Sequence, residues 1–158
     1  KTIYIATSVK GAGGIIKLID TNTKKEVGVT NIDGNKLNAG RDYVIDSARV
    51  VFDTGNANVK NAAWDTKLPV QLMNAELKIK QDNQLLFDMP LSDLFLKEFG
   101  SGGMAVGGDN LFRDISTSPL IRAEEEFEIE LEFPKGSAMD PAIEASIRFE
   151  FRVHQGKK

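Results

Sequence analysis

The stretch Phe127-Glu-Ile-Glu-Leu-Glu-Phe133, followed by Ala145-Ser-Ile-Arg-Phe-Glu-Phe-Arg-Val153, decides the fold of this chain. In the first run Phe127, Ile129, Leu131 and Phe133 alternate with Glu126, Glu128, Glu130 and Glu132. In the second, Ile143, Ala145, Ile147, Phe149, Phe151 and Val153 alternate with Glu144, Ser146, Arg148, Glu150 and Arg152. Successive strand side chains point to opposite faces, so each run specifies one buried and one wet face. Antiparallel sheets tolerate such a wet face, whereas parallel sheets bury both. The break at Pro134, Lys135, Gly136, Ser137 and Pro141 makes the two runs read as an antiparallel pair. In any even-sum register the glutamates of the first run then face Arg148 and Arg152.

Upstream, Thr2 to Ala6 is a short β-prone opening, and Gly11, Ala12, Gly13 and Gly14 read as a connector or hinge. Residues 1–14 are thus a candidate flexible arm. Ile15 to Ile19 and Glu26 to Thr30 flank the turn formers Asp20, Thr21, Asn22, Thr23 and Lys24, the usual signal of a hairpin. Asp42 to Phe52 is a long strand, and a surface loop from Asp53 to about Lys67 carries the only tryptophan, Trp64. Pro69 to Met73 and Asn74 to Lys80 read as extended, and Gln81 to Gln84 turn the chain into Leu85 to Phe87. One short helix follows: Asp88 is placed to cap it, Pro90 suits a first turn, and Leu91, Leu94, Phe95 and Phe99 share one face up to Gly100. Short turn-separated strands over 1–158 describe a single all-β domain, an antiparallel β-sandwich with one short helix and long loops.

Bulk properties narrow the function. A chain of 158 residues suits one core. With 20 basic and 23 acidic residues, net −3, it lacks the positive field that drives non-specific nucleic-acid binding. The charge is uneven: Lys1 to Lys36 holds six lysines against three acids, and Arg122 to Phe133 holds one arginine against six glutamates. These stretches are fitted to attract one another, or neighbouring copies. The absence of cysteine excludes disulfides, thiolate metal sites and cysteine nucleophiles. No apolar run reaches the roughly 20 residues of a membrane span.

Chemistry-bearing side chains are few and scattered. His154 is the only histidine, at the end of the last strand. A histidine base or zinc site needs an orienting or liganding partner, so His154 reads as a solvated chain-end residue. The loop Gly100 to Gly108 offers amides to an anion, but it follows a helix and ends at Asp109 instead of Gly-Lys-Ser/Thr. It reads as an inter-element loop or a contact arm between copies. Asp53, Asn56, Asn58 and Asp65 supply oxygens without calcium-loop spacing. Glu124, Glu125, Glu126, Glu128, Glu130 and Glu132 do not oppose one another across a cleft as a glycosidase pair does. Trp64, Phe112 and Tyr43 are candidates for a sugar-stacking platform, against a default of core or interface packing. The sequence assigns no catalytic, cofactor-binding or metal site, and no cofactor.

Three segments carry a resemblance: Asn74 to Lys80 running through Gln81–Gln84 into Leu85, Leu86 and Phe87; then Met89, Pro90, Leu91, Ser92, Asp93, Leu94 and Phe95; then Leu120 to Ala123, Phe127 to Pro134 and the closing run Ala145 to Val153. Together, from Leu68 to Val153, they resemble viral jelly-roll capsid proteins, particularly those of tailless or membrane-containing bacteriophages. The resemblance implies a single jelly roll, no catalytic residues and no enzymatic activity. It implies a virion structural protein, located in the capsid, that assembles as a homo-oligomer (trimer or pentamer) with copies of itself and other virion proteins. Many large phage capsid subunits are double jelly rolls, and this length allows only one, which points to a shell subunit, vertex protein or minor head component. The alternative of a different class is a carbohydrate-binding or adhesive β-sandwich.

Overall fold

The computed structural model describes residues 1–54, 58–62, 64, 69–94, 112–115 and 117–155. The strands are β1 (Thr2–Ser8), β2 (Ile15–Lys17), β3 (Tyr43–Thr54), β4 (Glu76–Gln81), β5 (Gln84–Pro90), β6 (Arg113–Asp114), β7 (Leu120–Ile121), β8 (Phe127–Glu132) and β9 (Ala145–Gln155). Two single-turn helices, α1 (Val70–Met73) and α2 (Leu91–Leu94), and a 3-10 turn at Val59–Asn61 accompany them. One sheet has the order β1-β9-β3, with β6 and β7 both on the far edge of β3; the other has the order β2-β8-β4-β5. Every pairing is antiparallel. With β6 and β7 taken as one interrupted strand, the chain crosses between sheets in the order of a jelly roll.

The alternating runs place their apolar halves inward except at Ile143, which lies before β9 and is 46 % exposed. Phe127, Ile129 and Leu131 of β8 and Ala145, Ile147, Phe149, Phe151 and Val153 of β9 are all buried. They form one cluster with Val50 and Phe52 of β3 and Leu77 and Ile79 of β4. Leu72, Leu91 and Leu94 bring the two helices onto the same core.

Several expectations give way. The two diagnostic runs do not pair: β8 lies between β2 and β4, and β9 between β1 and β3. The link from Phe133 to Glu144 crosses between the sheets, pinned by Phe133 N donating to Gly14 O and Met139 N to Ala12 O. Residues 11–14 are therefore a paired corner, where a Cβ on Gly13 would stand 3.0 Å from Ala138 Cβ. Thr2–Ser8 is a fully paired strand, not a flexible arm. The expected hairpin of Ile15–Ile19 with Glu26–Thr30 does not form, because β2 pairs with β8. Thr30 instead bridges to Ile5 and Glu26. Val70–Met73 is helical, not extended. Asp88 and Pro90 belong to β5, so Asp88 faces Lys78 across the sheet and is not a helix cap. Phe95, Phe99 and Gly100 lie outside the described residues.

The edge of β1 is closed by residues 29–31. Val29 O accepts from Ala6 N at 2.7 Å, and the Asn31 amide accepts from Tyr4 N and donates to Thr2 O, replacing a neighbouring strand. Covering an edge in this way removes a template for unplanned pairing.

Candidate functional site

The outer faces of the two sheets differ in chemistry. On the β2-β8-β4-β5 sheet, Glu128, Glu130 and Glu132 stand opposite Lys80, Lys78 and Glu76 in register. Lys78 Nζ lies 2.8 Å from Glu132 and 3.8 Å from Glu76, Lys80 lies 3.4 Å from Glu130, and Lys17 of β2 lies 3.7 Å from Glu128. The hydrogen bond to Glu132 raises the Lys78 ammonium above its ordinary value, and the same bond lowers the Glu132 carboxyl. The glutamates thus meet lysines of β2 and β4, not Arg148 and Arg152 as a β8–β9 pair would require.

On the other sheet, adjacent rows across β1, β9 and β3 read Tyr4, Glu150, Arg49 and Thr2, Arg152, Ser47. Glu150 is only 6 % exposed. Its carboxylate accepts from Arg49 Nε, and Arg148 Nε approaches its other oxygen to 2.9 Å as an ion pair without hydrogen-bond alignment. The Arg148 guanidinium lies 4.2 Å from the Tyr4 ring centroid, and those of Arg49 and Arg152 lie 4.7 and 4.0 Å from Phe112. Guanidinium groups stack on aromatic faces and are more weakly hydrated than ammonium, which suits this half-buried setting. The sequence pattern did not reveal this network. Its available signal was the Arg148, Glu150, Arg152 alternation, which needed β3, not β8, as the neighbour.

The candidate residues are not brought together. His154 is exposed, as expected at a strand end, but its Nδ1 lies 2.7 Å from Asp46 Oδ2. Asp46 reaches it because the β3–β9 register shifts between Ile45 and Ser47, and such a bulge re-aims a side chain. Asp53 is buried within β3, and Asn58 accepts from Lys60 N to cap the 3-10 turn. Asn56, Asp65 and the Gly100–Gly108 loop lie outside the described residues. Among the described residues no three of His, Cys, Asp and Glu converge as a metal-binding group. Tyr43 is buried, with Lys1 Nζ donating to its hydroxyl at 3.1 Å. Burial pushes this phenol up, but Lys1 and Arg41 beside it outweigh that and leave it below its ordinary value. Tyr43 and Phe112 of the suggested aromatic platform are thus engaged within the fold, Tyr43 by burial and Phe112 between two guanidinium groups.

One rim of the sandwich carries two adjoining grooves that share Lys36. The larger, about 570 Å³, is lined by Lys36, Lys80, Gln81, Asp82, Asn83, Glu124, Glu125, Glu126 and Glu128. No apolar side chain lines it, unlike the largely apolar pockets that hold small ligands. The smaller, about 270 Å³, contains Lys1, Lys25, Lys36 and Arg41 with Asp33 as its only acid. Gln81 anchors the rim. Its amide, only 2 % exposed, donates to Arg122 O and Glu125 O and accepts from Arg122 N. In sequence it looked like a turn residue, yet it continues the inward phase of Leu77 and Ile79.

Fold and surface define a jelly-roll β-sandwich with one lysine–glutamate face and one arginine–aromatic face. Comparison with protein-family models, curated proteins and solved structures returned no match. No helix among the described residues is long and apolar enough to cross a membrane.

Proposed function

We propose that this chain is a non-enzymatic virion structural protein whose jelly roll assembles with copies of itself and other virion proteins in a capsid, vertex or minor head position. The observation that carries the reading is the strand path, β1-β9-β3-β6/β7 against β2-β8-β4-β5, an architecture used by capsid subunits. Two further features support it. The β1 edge is closed by Val29 and Asn31, which disfavours open-ended strand addition. The larger groove on the charged rim is lined only by polar and charged residues, as suits a protein contact better than a small-molecule site.

Jelly rolls also serve as lectins, the alternative already drawn from sequence. Native mass spectrometry with negative-stain imaging of the purified chain separates the two. Rings, trimers, pentamers or shells support the capsid reading. A persistent monomer at high concentration refutes it, and glycan-array binding lost in Trp64→Ala favours the lectin.

A further inference from the structure

We infer that the charged rim is a self-complementary contact through which two copies of this chain meet about a two-fold axis. The inference deepens the proposed function and rests on it in taking a second copy as the partner. The sequence concentrates lysine near the start of the chain and glutamate near residues 122–133. The fold brings these distant stretches side by side. Glu124 N donates to Leu37 O, Phe127 N to Asn35 O, and Ala123 N to the Asp42 carboxylate. Gln81 holds the 122–125 turn from below. The basic and acidic grooves are thereby fixed next to each other, with Lys36 on the wall between them.

Only part of their charge is paired internally: Glu128 lies 3.7 Å from Lys17, and Lys80 lies 3.4 Å from Glu130. Arg122 pairs with Glu125 at 2.8 Å and approaches Asp82 at 3.6 Å. Glu124 and Glu126 have no ion-pair partner among the described residues, and neither do Lys25, Lys36 and Arg41. These side chains reach solvent: Lys25, Lys36 and Arg41 are exposed, as are Glu124 and Glu126. The depressed Tyr43 phenol, which Lys1 and Arg41 outweigh burial to produce, agrees with a positive field in the basic groove.

Adjacency selects the symmetry. Opposite charges at opposite poles stack copies head to tail, whereas opposite charges side by side on one rim satisfy each other twice across a two-fold axis. Each acidic groove then meets its partner's basic groove, the self-complementarity that an isologous contact demands. Complementary fields of this kind fix partner and register.

Charge exchange tests the contact in the full chain. One variant carries Glu124→Lys with Glu126→Lys; the other carries Lys25→Glu with Lys36→Glu. Sedimentation velocity follows association of each alone and of the equimolar mixture, with circular dichroism confirming the fold. Wild-type dimers are expected to weaken as salt rises from about 50 to about 500 mM, since exposed charges are screened. Each variant alone places like charge on like charge twice, so its self-association falls at least about tenfold. The mixture restores attraction at both halves and regains heterodimers. The neutral pair Glu124→Gln with Glu126→Gln gives a milder loss and guards against a folding artefact. Wild-type assembly that ignores both reversals overturns the rim contact and leaves the assembly reading standing. A wild-type chain that stays monomeric at low salt overturns both.

Discussion

Replacing Glu150 by alanine removes the one carboxylate shared by Arg49 and Arg148 on the outer face of the β1-β9-β3 sheet. The side chain is 8 % exposed, and its two partners are 20 % and 24 % exposed. Breaking a buried ion pair by deleting one partner costs about 3–5 kcal/mol, because the remaining charge stays desolvated. Each guanidinium here retains some contact with water, so the low end applies, about 3 kcal/mol. With a urea slope of about 2 kcal/mol per molar, the midpoint should fall by about 1.5 M. Glu128→Ala is the matched control on the other sheet. Its pair with Lys17 spans 3.7 Å, with side chains 59 % and 43 % exposed. Exposed pairs contribute about 0–1 kcal/mol, so the control shift should stay below about 0.5 M. Glu150→Gln keeps an acceptor without the charge and should fall between the two. Equilibrium urea unfolding followed by far-ultraviolet circular dichroism measures all three. Equal midpoints for Glu150→Ala and Glu128→Ala would refute the claim that these two sites differ in burial and in the cost of losing a charge.

Three further outcomes follow from the same geometry. Phe149→Ala, at a fully buried position of β9, should destabilise by about 3–5 kcal/mol, measurable in the same urea assay; a loss under about 1 kcal/mol contradicts its place in the core. Glu132 is held below its ordinary value by Lys78, so its contribution is present above the unfolded value of about 4.3 and is lost as pH falls through the lower folded one. Lys78 is raised, so its part is present below the unfolded value of about 10.4 and is lost as pH rises through the higher folded one; urea midpoints against pH should show a shallower acid limb in Glu132→Gln, and an unchanged limb counts against the pair. Asn31→Ala uncovers Tyr4 N and Thr2 O on the β1 edge and should speed amide exchange at Tyr4 while leaving exchange within β9 unchanged; equal protection at Tyr4 in both proteins shows that the amide is not the seal.

Alternation carried the fold a long way because it reports inside against outside, and that is what a two-layer protein encodes locally. Phe127, Ile129, Leu131 and the odd residues from Ala145 to Val153 went inward as read. What alternation does not encode is the neighbouring strand. The β8 and β9 patterns fit a hairpin as well as a crossover, and the choice rests on non-local bonds of the 133–144 link to residues 12 and 14. The missed helix at Val70–Met73 is a single turn, too short for periodicity to register. Ile15–Ile19 was joined to Glu26–Thr30 because Asp20 and Thr23 look like a hairpin turn. Their side chains do form a local turn, with Thr23 Oγ1 accepting from Asp20 N and Asp20 Oδ1 from Asn22 N, without any strand pairing across it. The functional surfaces were harder to read for the same reason: the rim and the Glu150 network join residues from separate parts of the chain.

The two sheets carry different cations on their outer faces, and the difference is chemical. The cations on the outer face of β2-β8-β4-β5 are Lys17, Lys78 and Lys80; those on the outer face of β1-β9-β3 are Arg49, Arg148 and Arg152. Lysine's compact, strongly hydrated ammonium meets glutamates there at separations up to 3.8 Å. Arginine's flat guanidinium pairs with a buried carboxylate through its edge and stacks on Tyr4 or Phe112 through its face, so it suits a surface partly covered by other side chains. The β1-β9-β3 face packs its guanidinium groups against Tyr4, Phe112 and the buried Glu150, whereas the β2-β8-β4-β5 face grades from the exposed Lys17–Glu128 pair to Glu130, which is only 8 % exposed.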